Sequence, residues 1–440
     1  NNKDKNDNDV TEKQDSINPL LKEYETQFKV PPFDKIKPEH FMPAFEEAMK
    51  QQKEAIEKIT ANTEEPDFSN TIEPYMFSGE LMGNVSRVFF GLSSCNTNKE
   101  IQAIEKEINP KLSAFSDEIS MNPELFKKIK AVHDKKETLE LTDEQSYLLE
   151  NLYKTFVRRG ALLPDDKQAK LKEINQRLSV LKVRFRQNLL AETNDFKLII
   201  EKEENLAGLP KTVVATAAET AERMEMPGKW VFTTQKPSMI PFLQYAENRD
   251  LREKIYTAYT TRGNNANEYD NKEILAEIVK LRADKAKLLG YKNHAEYRLE
   301  TRMAKTPDKV FDLLNKLWDK ALKVGKKEAK ELQAIIDKEG GDFKLQPWDW
   351  WYYAEKLRKE KYDLDENELR PYFKLENVRD GIFTLAGKLY GVSFTQIDVP
   401  TPHPDATAFE VKEEDGSHVG VLYLDFFPRE SKRGGAWCGG

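Results

Sequence analysis

Residues 164–189 read PDDKQAKLKEINQRLSVLKVRFRQNL. Leu171, Ile174, Leu178, Leu181, Phe185 and Leu189 recur there at three- and four-residue steps, which sets six large apolar side chains on one stripe of a helix. Pro164, Asp165 and Asp166 stand just ahead, supplying a fixed φ and negative charge where first-turn N–H groups point outward. The same grammar recurs further on. Thr306 reads as an N-cap with Pro307 at the first helical position, followed by Val310, Leu313, Leu317 and Val324 until Gly340 and Gly341. A third helix carries Leu275, Ile278, Leu281 and Leu288 and closes at Gly290. Strand signals are few: 196–200, 230–233, and a terminal cluster in which 408–412 and 419–426 flank Asp415-Gly416, a hairpin turn by composition. No repeat period is evident, which argues against an α-solenoid. The expected fold is mainly α, with strands confined to those stretches and the 408–437 region.

Composition agrees with that reading. Of 440 residues, 33% are charged, against a usual figure of about 25%, and 20 Gly and 21 Pro are no excess. Such a chain favours long solvated helices over loop-rich β architecture. Lys and Arg number 69 and Asp and Glu 76, a net charge of −7 spread without a basic block, so no nucleic-acid partner is expected. No uncharged apolar run approaches the ~18 residues that span a bilayer, and a soluble chain without a transmembrane segment is expected. Residues 1–16 (NNKDKNDNDVTEKQDS) hold one apolar residue, Val10, and read as a flexible lead-in, a tether of the kind left after signal removal. On that ground a cell-envelope or periplasmic location is expected, with the cytoplasm as the alternative.

The titratable residues give no complete catalytic motif. His40, His133, His294, His403 and His418 are too far apart for any two to share a helix face, and HExxH, its inverse, Gly-rich phosphate loops and GxSxG are all missing. Cys95 and Cys438 form neither a CxxC nor a disulfide framework. No tight zinc site is therefore expected on this chain. Two stretches stand out from ordinary core. Residues 347–353, PWDWWYY, crowd five aromatics around Asp349, most simply a packing cluster and alternatively a substrate-facing wall. Residues 423–437, YLDFFPRESKRGGAW, read as a hairpin and loop held by an Asp425–Arg429 ion pair, or as an edge strand whose small residues let a peptide backbone approach.

With these two stretches, the segments PPFDKIKPEHFMPAFEEAM (31–49), FVRRGALLPDDKQAKLKEINQRLSVL (156–181) and LLGYKNHAEYRLETRMAKTPDKV (288–310) resemble, in order, the thimet oligopeptidase and oligopeptidase A family of zinc metallopeptidases. Its peptidyl-dipeptidase Dcp branch is the most similar. The resemblance implies a two-lobed, mainly α peptidase with a deep channel, a small β patch lining the cleft and zinc at its floor, acting on short peptides. In that family HExxH lies beyond the GGAW segment, so the sequence reads as an N-terminal fragment, with the fold incomplete at its C-terminus. Zinc is expected in the intact protein and none on this chain, which alone is expected to be inactive. The division implied is 1–16 as lead-in, 17–262 as an N-terminal helical lobe, and 263–440 as the first part of the catalytic domain, with a break near 263–266. Of the family's working residues only Gly434, Gly435, Ala436 and Trp437 carry over, as backbone contacts to substrate. His403 and Asp405 match a family His-Pro-Asp segment and are read as structural. The alternative is a non-catalytic helical peptide-binding or interaction protein; a purely structural scaffold fits the aromatic cluster and the GGAW segment less well. Loss of a covering segment would also uncover apolar side chains near the terminal hairpin and the 348–353 cluster, so self-association is expected.

Overall fold

A computed structural model describes residues 18–363 and 366–439; the lead-in at 1–16 lies outside them. The helices of ten residues or more are α1 (Phe41–Ala61), α2 (Glu80–Cys95), α3 (Lys99–Ser120), α4 (Pro123–Asp134), α5 (Asp143–Arg158), α6 (Asp165–Asp195), α7 (Lys211–Arg223), α8 (Lys236–Tyr245), α9 (Arg249–Thr260), α10 (Lys272–Leu288), α11 (Pro307–Lys338), α12 (Trp350–Tyr362) and α13 (Leu375–Tyr390). The strands are β1 (Leu198–Ile200), β2 (Trp230–Phe232), β3 (Ser393–Ile397), β4 (Thr407–Lys412) and β5 (His418–Leu424). The fold is mainly α, and the helix punctuation read from sequence holds. Asp165 and Asp166 open α6, the Thr306 hydroxyl accepts from the Lys309 N–H to cap α11, and Gly340 and Gly290 follow α11 and α10 with φ of 78° and 87°. No helix among the described residues is long and apolar enough to cross a membrane.

Packing sorts the chain into two compact units. Among the described residues one comprises 18–184, 281–290 and 392–439; the other comprises 185–280, 291–363 and 366–391. In the first, two cores form. Phe41, Phe45, Val85, Phe89, Ile101 and Ile108 join α1, α2 and α3, while Ile56, Phe115, Leu125, Ile129, Leu149 and Phe156 join α1, α3, α4 and α5. The antiparallel sheet β3-β4-β5 belongs to this unit and packs Val399, Ala408, Val421 and Tyr423 around Val30. Its β4–β5 hairpin turns at Asp415-Gly416 as the composition indicated: Gly416 takes φ 84°, and the Asp415 carboxylate accepts from the Ser417 N–H at 2.8 Å. Strand β3 was not foreseen, although Gly391 and Asp398 flank SFTQI, because only Phe394 and Ile397 of its five residues are large and apolar.

The second unit holds the two-stranded sheet β1-β2 against α7 and α8, with Phe232, Phe242, Leu243 and Ile255 at its centre. The stretch 263–266 is a turn gathered around one carboxylate. Glu192, buried on α6, accepts from the Gly263 N–H and, at 2.8 Å each, from the Asn265 and Asn267 amides. Burial works to raise its pKa, and these donors outweigh it and hold the group below its ordinary range.

Of the five aromatics at 347–353 only Tyr353 is buried, so the packing reading applies to Tyr353 and Asp349 and not to the whole stretch. Asp349 is fully buried and accepts from Arg249 Nη2 (3.0 Å), Arg252 Nη2 (3.0 Å) and the Gln346 N–H (3.1 Å), while the guanidinium of Arg252 lies 4.2 Å from the Tyr352 ring centre. Trp350 and Trp351 stay partly exposed, as do Phe426, Phe427 and Trp437. The larger uncovered apolar surface is elsewhere, on α11 (Phe311, Leu314, Leu317, Trp318) and α13 (Ile382, Leu385, Leu389).

Candidate functional site

Strand β5 ends at Leu424, and the chain then runs without regular structure through 425–439. The edge strand expected at Gly434, Gly435, Ala436 and Trp437 is therefore not formed. The reason is local: the ladder ends at the Thr407–Leu424 pair, and the next residues turn away to satisfy a cluster of charges. Tyr423, the last aromatic of the strand, donates its hydroxyl to the Pro400 carbonyl at 3.1 Å, and burial pushes its pKa up to about 12.

Asp425 organises the loop beyond β5. Arg429 grips its carboxylate with two hydrogen bonds of 2.8 and 2.7 Å, and Lys432 stands 3.1 Å from the same group while donating to the Asp425 carbonyl at 2.6 Å. This is the Asp425–Arg429 ion pair expected to hold the loop. Burial acts to raise the Asp425 pKa, but the two cations outweigh it and leave the carboxylate below its usual range. The loop is then fastened to the end of α2, where the last carbonyls have no helical partner. Arg429 donates to the Cys95 carbonyl (2.5 Å), the Arg433 N–H to the Ser94 carbonyl (3.0 Å), and the Thr97 N–H to the Ser431 carbonyl (2.8 Å). Cations at a helix C-terminus are favoured by its dipole. Burial, then the nearby Asp425 charge, pushes the Cys95 thiol up, which makes it a poor nucleophile. The guanidinium of Arg433 reaches Ser93 Oγ and Glu105 Oε1, each at 3.1 Å, and Glu105 is buried on α3.

His403 and Asp405 lie in the turn before β4. The Asp405 N–H donates to His403 Nδ1 (3.1 Å), Thr401 Oγ1 donates to the His403 carbonyl (3.0 Å), and the Asn96 amide donates to the Pro402 carbonyl (2.9 Å). Asp405 also stands 3.9 Å from Arg429. The turn thus leans on the same α2 end as the loop.

Past Arg433 the anchors stop. Residues 434–439 are exposed, and among the described residues no hydrogen bond ties them down. A Cβ placed on Gly434 or Gly435 would meet nothing within 4 Å, and Gly435 holds φ 102°, which glycine adopts freely. The backbone N–H and C=O groups of Gly434, Gly435, Ala436 and Trp437 are open to pair with an extended peptide. Sequence reasoning missed Ser93, Ser94, Thr97 and Glu105, which lie more than 300 residues from the loop. One signal was present: Glu105 falls in the apolar stripe Ile101, Ile108, Phe115, and a carboxylate on a buried helix face calls for a cation from elsewhere.

Residues 242–440 match the family Peptidase family M3. Over 96% of its length the chain is 36% identical to dipeptidyl carboxypeptidase of Escherichia coli K12 and 35% identical to oligopeptidase A of the same organism, covering 63% and 62% of those proteins. Saccharolysin of Saccharomyces cerevisiae is 27% identical over 86% of the chain and 54% of its own length. The family match thus lies in the C-terminal part of the chain, and the chain spans about three-fifths of the length of the bacterial relatives. Peptidases of that family use zinc. Among the described residues no three His, Cys, Asp or Glu side chains converge on a metal position, whereas zinc takes four ligands or three plus water.

Proposed function

We propose that the chain supplies the N-terminal helical lobe (17–262) and the first part of the catalytic domain (263–440) of a zinc-dependent peptidyl-dipeptidase or oligopeptidase acting on short peptides. Its zinc would be held by residues other than these. The observation that carries the reading is the 36% identity to dipeptidyl carboxypeptidase along 96% of the chain. In this role the segment 434–437 offers main-chain hydrogen bonds to a peptide laid beside it, and the two glycines let that backbone come close. By itself the chain binds peptide and does not cut it.

Calorimetric titration with N-blocked tri- to pentapeptides tests the first half of that statement. Binding in the micromolar to millimolar range supports it; no heat up to several millimolar counts against it. Product analysis by mass spectrometry tests the second. The chain alone should leave these peptides intact, whereas the full gene product with zinc should cleave them, and the fragments distinguish C-terminal dipeptide release from internal cleavage. Binding by the full product without any cleavage would favour the non-catalytic peptide-binding alternative.

A further inference from the structure

We propose that Arg433 is a positioning residue for the segment Gly434–Trp437, its seat being Ser93, Ser94 and Glu105; the proposal rests on the peptide-contact reading above. Three observations support it. Arg433 immediately precedes Gly434 and is fixed at both ends, its N–H on the Ser94 carbonyl (3.0 Å) and its guanidinium on Ser93 Oγ and Glu105 Oε1 (3.1 Å each). Lys432, by contrast, spends its charge on Asp425 within the loop itself, and Arg429, which also donates to the Cys95 carbonyl, sits four residues further back from the segment. Beyond Arg433 nothing defines the path: the places where Gly434 and Gly435 would carry side chains face open space, and no hydrogen bond holds 434–439 among the described residues.

The direction in which the segment leaves its anchor is therefore set by Arg433 and by the two helices it bridges, α2 through Ser93 and Ser94 and α3 through Glu105. A buried carboxylate is well suited to this, because it holds a guanidinium with little freedom to wander. Lysine at 433 could reach Glu105 but has no planar fork with which to serve Ser93 at the same time.

The test reads hydrogen exchange at the Arg433 N–H, which is held on the Ser94 carbonyl, beside peptide binding. In wild type that N–H should be protected. Arg433→Ala should speed its exchange severalfold, because the guanidinium no longer pins the residue to Ser93 and Glu105, and weaken peptide binding about tenfold by calorimetry. Arg433→Lys should recover affinity to within about threefold. Ile129→Val, a core substitution on α4, controls for plain loss of stability and should change neither readout. If Arg433→Ala does not fold, Ser93→Ala combined with Glu105→Gln removes the seat and should give the same pair of changes. Unaltered exchange at residue 433 together with affinity within twofold of wild type, in whichever variant folds, overturns the proposal. Failure of wild type to bind peptides would instead defeat the functional reading, and the exchange rate would still report whether the side chain of Arg433 fixes the start of the segment.

Discussion

Helices α6 and α11 both carry apolar residues at three- and four-residue steps and differ in what covers them. On α6 the stripe residues Leu171, Ile174, Leu178 and Leu181 are buried, Leu178 at 5% exposure. On α11 the stripe residues Leu313, Leu314, Leu317 and Val324 are exposed, Leu317 at 58%, and only Leu332, Ile335 and Ile336 near its end are covered. The covered end packs with Tyr353 of α12, whose start is held by buried Asp349 between Arg249 and Arg252. Periodicity makes an amphipathic helix in both cases; whether it contributes to stability depends on a partner that periodicity does not name.

The strongest way to break the comparison is to remove what holds α12 over α11. Asp349→Ala leaves two arginines without their buried carboxylate and is expected to cost about 3–5 kcal/mol, read as a fall in urea midpoint and tracked by exposure of Tyr353. If the midpoint holds, the covered end of α11 does not depend on that cluster. Next come the stripes themselves. Leu178→Ala should destabilise by about 2–5 kcal/mol, whereas Leu317→Ala should stay within about 0.5 kcal/mol. Equal effects would mean that α11 is covered in solution.

Uncovered apolar stripes of this size tend to find partners. The 51.0 kDa chain should accordingly rise in mean mass with concentration in light scattering, and Leu314→Lys with Leu317→Lys should lower that rise while leaving the thermal midpoint nearly unchanged. A constant mass in wild type would show that the stripe does not drive association. The smallest effect sharpens the comparison from the well-covered side. Glu150 on α5 is held down to about 2 by Lys136, Lys154 and His133. Its folded value lies below the unfolded one near 4.5, so its contribution is present above that pH and is lost as pH falls toward 2. Because the side chain is about one-third exposed, the effect should be under about 1 kcal/mol. Glu150→Gln should flatten the acid limb of the stability curve between pH 4.5 and 2; an unchanged limb would show that other carboxylates carry it.

Features whose causes lie within a few residues were legible from the sequence. The Asp165-Asp166 start of α6, the Thr306 cap of α11, the Gly416 turn and the Asp425–Arg429 pair each arise from backbone chemistry or from side chains one turn apart. The stretch around Asp349 stood out by composition, but the sequence showed neither that Tyr353 alone of its aromatics is buried nor the two arginines from about 100 residues away that make the buried charge tolerable. The terminal segment was misread as a strand, because small and aromatic residues suit an edge, while the competing demand of Asp425 for Arg429 and Lys432 is met only by a turn. Tertiary structure alone decided that Arg433 meets Glu105 across 328 positions of sequence and that α6, not the first part of α11, is covered. Pairings of that kind depend on how helices pack in three dimensions, and residue spacing along one helix carries no information about the surface of another.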